Sequence, residues 1–238
     1  MIGDRFGRNV FDGGGGNDAL NGDDSAGFFI GGRGNDSLSL GRGADVVAFN
    51  RGDGQDSVAS IRETVANDTL SLGGGIRAID LAFRKSGNDL QVETDANGTD
   101  RFTLRDWYAP LDNRSFINLQ IVNQALADFN AGAGDPLRDQ RVERFDFAGL
   151  VGRFDAERAT TPTLGRWEVI NALAMFHLGG SDARAVGGDL SLQAGLQGSL
   201  ANMSLGTAQG TLANADFGAR EQAFGATANL TNSMFKLA

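Results

Sequence analysis

The residues of this 238-residue chain whose types and spacing could do chemistry are aspartates set behind glycines at a fixed interval. Asp18, Asp36, Asp45 and Asp56 each stand sixth in a unit of the form G-G-x-G-x-D-x-(apolar)-x. The units occupy 13–21, 31–39, 40–48 and, after the two extra residues Phe49 and Asn50, 51–59. A carboxylate one carbon from the backbone, inside a glycine turn that exposes carbonyls, offers the oxygen ligands that a hard cation such as calcium takes at ~2.3–2.6 Å. The composition leans the same way, with 24 Asp against 6 Glu and 35 Gly. There is no cysteine and one histidine, His177. No thiolate ligand or thiol nucleophile is therefore available, the commoner catalytic zinc sets are excluded, and a Ser-His-Asp triad would have a single candidate base.

The net charge of −9, with Lys85 and Lys236 the only lysines, argues against a nucleic-acid surface. The first residues lack a basic stretch followed by an apolar run, so no signal peptide is expected. No run of ~20 apolar residues marks a membrane span.

The elements that must hold the aspartates follow from a second column. Counting in nines also recovers two weaker units, 4–12 and 22–30, in which Asn9 and Gly27 stand where the acid would be. The apolar position then reads Phe11, Leu20, Phe29, Leu38, Val47, Val58, unbroken even where the acid is lost. Each x-apolar-x tripeptide is expected to be a short strand with its central side chain inward, and each glycine-rich hexapeptide a turn. A flexible linker has no reason to keep the apolar column. A phosphate loop at 13–16 or 73–75 would need a following helix or Lys-Ser/Thr pair, and neither is present.

One buried side chain per unit contributes ~1.5–3 kcal/mol, against ~1–2 kcal/mol of backbone entropy for every residue ordered. Such a stack needs another source of stability, and metal binding can supply it.

From Asp68 onward strand-like segments at 68–72, 79–83, 90–92, 102–104 and 117–121, with turns at 86–89 and Asn97-Gly98, predict an antiparallel meander that caps the stack. Trp107 and Tyr108 are expected to pack against the last turn of the stack. A hinge is expected at 131–136. Beyond it, apolar spacing predicts a helix over 137–158 and a second from Thr161 to Gly179, with His177 in its last turn in a capping or packing role. After Ser181 the small-residue segments read either as short helices in close contact or as an extension without fixed structure.

The repeat resembles the calcium-binding nonapeptide of the RTX (repeats-in-toxin) family, and 81–108 resembles the block that follows such repeats. The resemblance implies a mainly β fold in three parts: a parallel β-roll over 1–62, an antiparallel capping region over 63–130 and a small α-helical C-terminal region over 131–238. Two nonapeptides would make one turn, which puts loops 13–18, 31–36 and 52–56 on one edge with Asp18, Asp36 and Asp56 in register. The implied metal residues are Gly13, Gly15, Asp18, Gly31, Gly32, Arg33, Gly34, Asp36, Gly52, Asp53, Gly54 and Asp56, with Asp45 on a weaker second edge completed near Asn67 and Asp68.

What the resemblance implies for function is a non-catalytic, monomeric, calcium-binding module of a Gram-negative bacterium. It would be secreted or held at the cell surface, exported by a type I machine (inner-membrane ATPase and export channel) that reads an uncleaved C-terminal signal, and folded by Ca2+ outside. Two alternatives stand beside it: the C-terminal part of a secreted protease or lipase, whose H-E-x-x-H or G-x-S-x-G centre would lie upstream of Met1, and an adhesin.

Overall fold

A computed structural model describes residues 7–59, 67–110 and 114–225. The chain is mostly β, built on two large mixed sheets of seven strands each with few helices between and around them. The repeat region supplies β1 (Asn9–Asp12), β2 (Ala19–Asn21), β3 (Gly27–Ile30), β4 (Ser37–Ser39), β5 (Val46–Asn50) and β6 (Gln55–Ala59), followed by β7 (Asp68–Gly73). Odd strands run parallel in the first sheet, where Phe11, Phe29, Val47 and Leu70 face one another in turn. Even strands run parallel in the second, where Leu20, Leu38 and Val58 do the same. Both columns point between the sheets into one core, as period-2 alternation requires.

The outer faces differ. Phe28, Ile30, Val46 and Ala48 on the odd strands are buried, whereas Ala19, Asn21, Ser37 and Ser39 on the even strands are exposed.

The predicted meander is found in part. Strands β8 (Ala82–Ser86), β9 (Asp89–Glu93) and β10 (Arg101–Leu104) are antiparallel neighbours, and β10 adds in parallel to β6. The segments at 68–72 and 117–121 are not part of it. The first lies in β7 and the second in β11 (Phe116–Ile121), and both continue the first sheet in parallel. Ile79 is no strand residue either: it stands 60% exposed in a 3-10 turn, Ala78–Asp80.

The segments predicted to be helical are half strand. Val142–Asp146 forms β12 on the open edge of β11, and only Phe147–Thr160 is helix α1. Pairing with β11 satisfies a row of backbone groups that a local helix would leave bare, and this outweighs the helical spacing of Val142 and Phe145. The second predicted helix divides into β13 (Trp167–Glu168), the single turn α2 (Ile170–Leu173) and β14 (His177–Ser181). β13 closes the second sheet against β8, and β14 pairs with β12. His177 is thus a strand residue. It packs on Phe145 with ring centroids 5.3 Å apart, and its Nε2 lies 2.7 Å from Oε2 of Glu143, a buried carboxyl pushed above its usual range by desolvation.

Helix α1 enters between the two sheets where the parallel strands give way to antiparallel ones. Asp146 caps it, its side chain accepting from the Gly149 N–H at 2.8 Å. Phe147 then meets Phe83, Trp107 and Phe116 edge-on, and Phe154 meets Phe83 and Trp167. Trp107 therefore packs on this helix, and Tyr108 donates its hydroxyl to Asp155 of the same helix at 2.9 Å.

The remaining chain is a layer on the first sheet: β15 (Arg184–Val186), α3 (Gly188–Gln197), α4 (Leu205–Ala213) and β16 (Glu221–Ala223). Val186, Leu190, Ala194, Leu212 and Phe217 bury the outward Phe28, Ile30 and Val46. Helix α3 crosses β7 closely at Gly195, whose carbonyl accepts from the Gly74 N–H at 2.8 Å. Among the described residues no helix is long and apolar enough to cross a membrane.

Candidate metal centre

The loops between the strands stack on two edges. On the first, loops 13–18, 31–36 and 52–56 lie in parallel register, with bridges between Gly15 and Arg33 and between Gly34 and Gly54. The carbonyl of Gly14 accepts from the Arg33 N–H at 2.9 Å, that of Arg33 from Gly16 at 2.8 Å, and that of Asp53 from Gly34 at 2.8 Å. The second and fourth positions of every unit hold a positive φ, from 85° at Gly14 to 144° at Gly34. A Cβ on Gly34 would also overlap the Gly16 carbonyl of the loop beneath. Here glycine is required both for the backbone conformation and for the close approach.

The acids are bonded in one direction along the stack. Asp36 Oδ1 accepts from the Asp18 N–H at 2.7 Å, and Asp56 Oδ1 from the Asp36 N–H at 2.9 Å. The amides at the fifth position run the other way: Asn17 Oδ1 accepts from the Asn35 N–H at 2.8 Å, and Asn35 Oδ1 from Gln55 at 2.9 Å. Each step of the stack is therefore stitched from both sides.

The second oxygens of the acids are different. Oδ2 of Asp18 and of Asp36 are buried with no hydrogen-bond partner. A Cβ placed on Gly13 would lie 2.6 Å from the Gly31 carbonyl oxygen and 2.9 Å from Asp18 Oδ2, so two oxygens from different loops converge on the space glycine leaves. At Gly31, a Cβ would likewise overlap Asp36 Oδ2.

Burial raises the pKa of Asp36, with the Asp18 charge adding to it. Desolvation is also the main cause at Asp53, pushed to about 7, and at Asp56, pushed to about 8, with Asp36 and Asp100 adding repulsion in both cases. Among the described residues none of Asp36, Asp53, Asp56 and Asp100 is ion-paired to a base.

These features fit a hard cation held between loops. Among the described residues no three acidic or imidazole groups converge as a set, so the carboxylates would share an ion with backbone carbonyls, a mixed set that calcium accepts.

Of the residues predicted for this role, Gly13, Gly15, Asp18, Gly31, Gly32, Arg33, Gly34, Asp36, Gly52, Asp53, Gly54 and Asp56 lie in the three stacked loops. Asp53 closes a corner as well, its Oδ2 accepting from the Asn50 N–H at 2.7 Å. Asp45 lies apart on the opposite edge, where its Oδ1 accepts from the Gly27 N–H at 2.6 Å and its own N–H donates to Asp68 Oδ1 at 3.0 Å. Asp68 thus continues the second edge as Asp56 continues the first.

Two contributions were not read from the sequence. One is the amide ladder Asn17–Asn35–Gln55, visible as a fifth-position preference. The other is Asp100, which accepts from the Gly52 N–H at 2.6 Å and carries no repeat signal because it belongs to the β9–β10 turn.

The chain matches no protein-family model and no curated protein sequence.

Proposed function

We propose that this chain is a calcium-binding module of the RTX kind, whose two parallel ladders form a β-roll that folds when calcium enters the loops. The observation that carries this reading is the pair of buried, unpartnered Oδ2 atoms of Asp18 and Asp36, set in glycine loops that bring carbonyl oxygens beside them. A buried carboxylate without a partner costs free energy. An ion bound only by the folded loops offsets that cost and makes calcium a folding ligand.

On this reading the chain is exported unfolded by a type I machine where calcium is scarce and folds outside the cell. Residues 226–238, the end of the proposed export signal, lie outside the described residues.

The test is a far-UV circular dichroism titration with calcium against an EDTA control. The expected result is a cooperative gain of β signal at roughly 0.1–1 mM calcium, the range of extracellular modules. A spectrum indifferent to calcium overturns the proposal.

A further inference from the structure

The helical layer contains a cleft of about 310 Å³, walled by α4 and β16 and floored by the first turn of α3. Its floor carries two buried polar side chains, Asp189 (5% exposed) and Gln222 (3% exposed). Asp189 Oδ2 accepts from the Gly225 N–H at 2.9 Å, but Oδ1 is buried without a hydrogen-bond partner, and so is Gln222 Nε2.

An acid in the first turn of a helix is favoured by the backbone dipole, which accounts for the charge of Asp189 and leaves its unpartnered oxygen unexplained. Arg141 feels that charge, yet its guanidinium is hydrogen-bonded to Gln124 and to the Asp182 carbonyl. On the α4 wall, the point where a Cβ of Gly210 would stand has nothing within 4 Å. Glycine is a poor helix former in that position, and its effect there is to leave the cleft open.

The chemistry of the walls restricts what fits. Thr207, Thr211 and Asn214 add hydroxyl and amide groups, and the lining includes neither a basic nor an aromatic side chain. Anions and flat apolar ligands are disfavoured. The floor asks for one donor and one acceptor side by side, which two neighbouring hydroxyl groups provide. The volume is at the lower end of ligand cavities, about 300–1,000 Å³.

We propose that this cleft between α3, α4 and β16 binds a small polyhydroxylated ligand of monosaccharide size, one hydroxyl donating to Asp189 Oδ1 and its neighbour accepting from Gln222 Nε2. The site is separate from the stacked loops, and its existence does not depend on calcium being their ligand.

Isothermal titration calorimetry of the full chain in calcium with glucose, galactose and mannose tests it. At least one hexose is expected to bind in the millimolar range, as suits a site without an aromatic platform. Asp189→Ala and Gly210→Leu are each expected to weaken that binding by at least about tenfold, the first by removing the acceptor and the second by filling the cleft. Gly210→Leu improves helix propensity and enters open space, so it decides the matter where Asp189→Ala disturbs folding. Absence of binding by all three hexoses, or binding by both folded variants within about twofold of the parent, overturns the proposal.

Discussion

Two aspartates set the behaviour of the metal-free protein. Asp53 and Asp56 have their pKa values raised by the fold from 3.8 to about 7 and about 8. Their contribution to the stability of the metal-free fold is therefore intact below pH 3.8 and is lost as pH rises through 7 and 8, because the unfolded chain ionises them freely and the fold does not. In EDTA, the thermal midpoint at pH 5.5 should exceed that at pH 8.5, while saturating calcium should narrow the difference. An EDTA midpoint that rises with pH would contradict this account.

Glycines in the same loops can be separated by cause. Gly14 carries a positive φ with open space around it, so Gly14→Ala should cost about 1–2 kcal/mol, the strain of a left-handed residue. Gly34 combines positive φ with overlap of the Gly16 carbonyl, and Gly34→Ala should cost on the order of 4 kcal/mol. Denaturant midpoints in calcium measure both, and equal losses would mean that the close approach carries no weight.

At the scale of elements, α1 holds the two sheets together through Phe147 and Phe154. Phe154→Ala should destabilise by about 3–5 kcal/mol, and Asp146→Ala by about 1 kcal/mol through loss of the N-cap, both read from equilibrium unfolding. The sequence made much of this scaffold legible and some of it not. The column Phe11 to Val58 was readable because a nine-residue period places one apolar residue inward on every strand. Asp68 escaped that count because it follows Asp45 by 23 residues, which no multiple of nine reaches. Strand β12 was hidden by competing periods, since Val142 and Phe145 suit a helix face and only the open edge of β11 decides for a strand. The fate of the segments after Ser181 was written elsewhere in the chain. Phe28, Ile30, Val46 and Ala48 flank the apolar column on odd strands where Ser37 and Ser39 flank it on an even one. That contrast demands a cover on one sheet and not on the other.

For the whole molecule, the cover ties the C-terminal layer to the repeats. Leu190 and Phe217 lose their partners if β3 and β5 come apart, so α3 should lose amide protection together with the repeat strands when calcium is removed. Hydrogen exchange with and without EDTA reads this directly. Protection of α3 that persists in EDTA would show instead that the helical layer folds by itself.

The corner after β5 absorbs Phe49 and Asn50 without disturbing the stack. Phe49 joins the core against Phe102 at 5.8 Å, Asn50 is clasped by Asp53, and Ser57 still faces Ser37. Spacing along the chain and spacing along the stack are thus uncoupled at this corner. The array accepts an insertion of one inward and one corner residue as a neutral change of length, and arrays of this design can drift in length while every ion-holding loop keeps its neighbour.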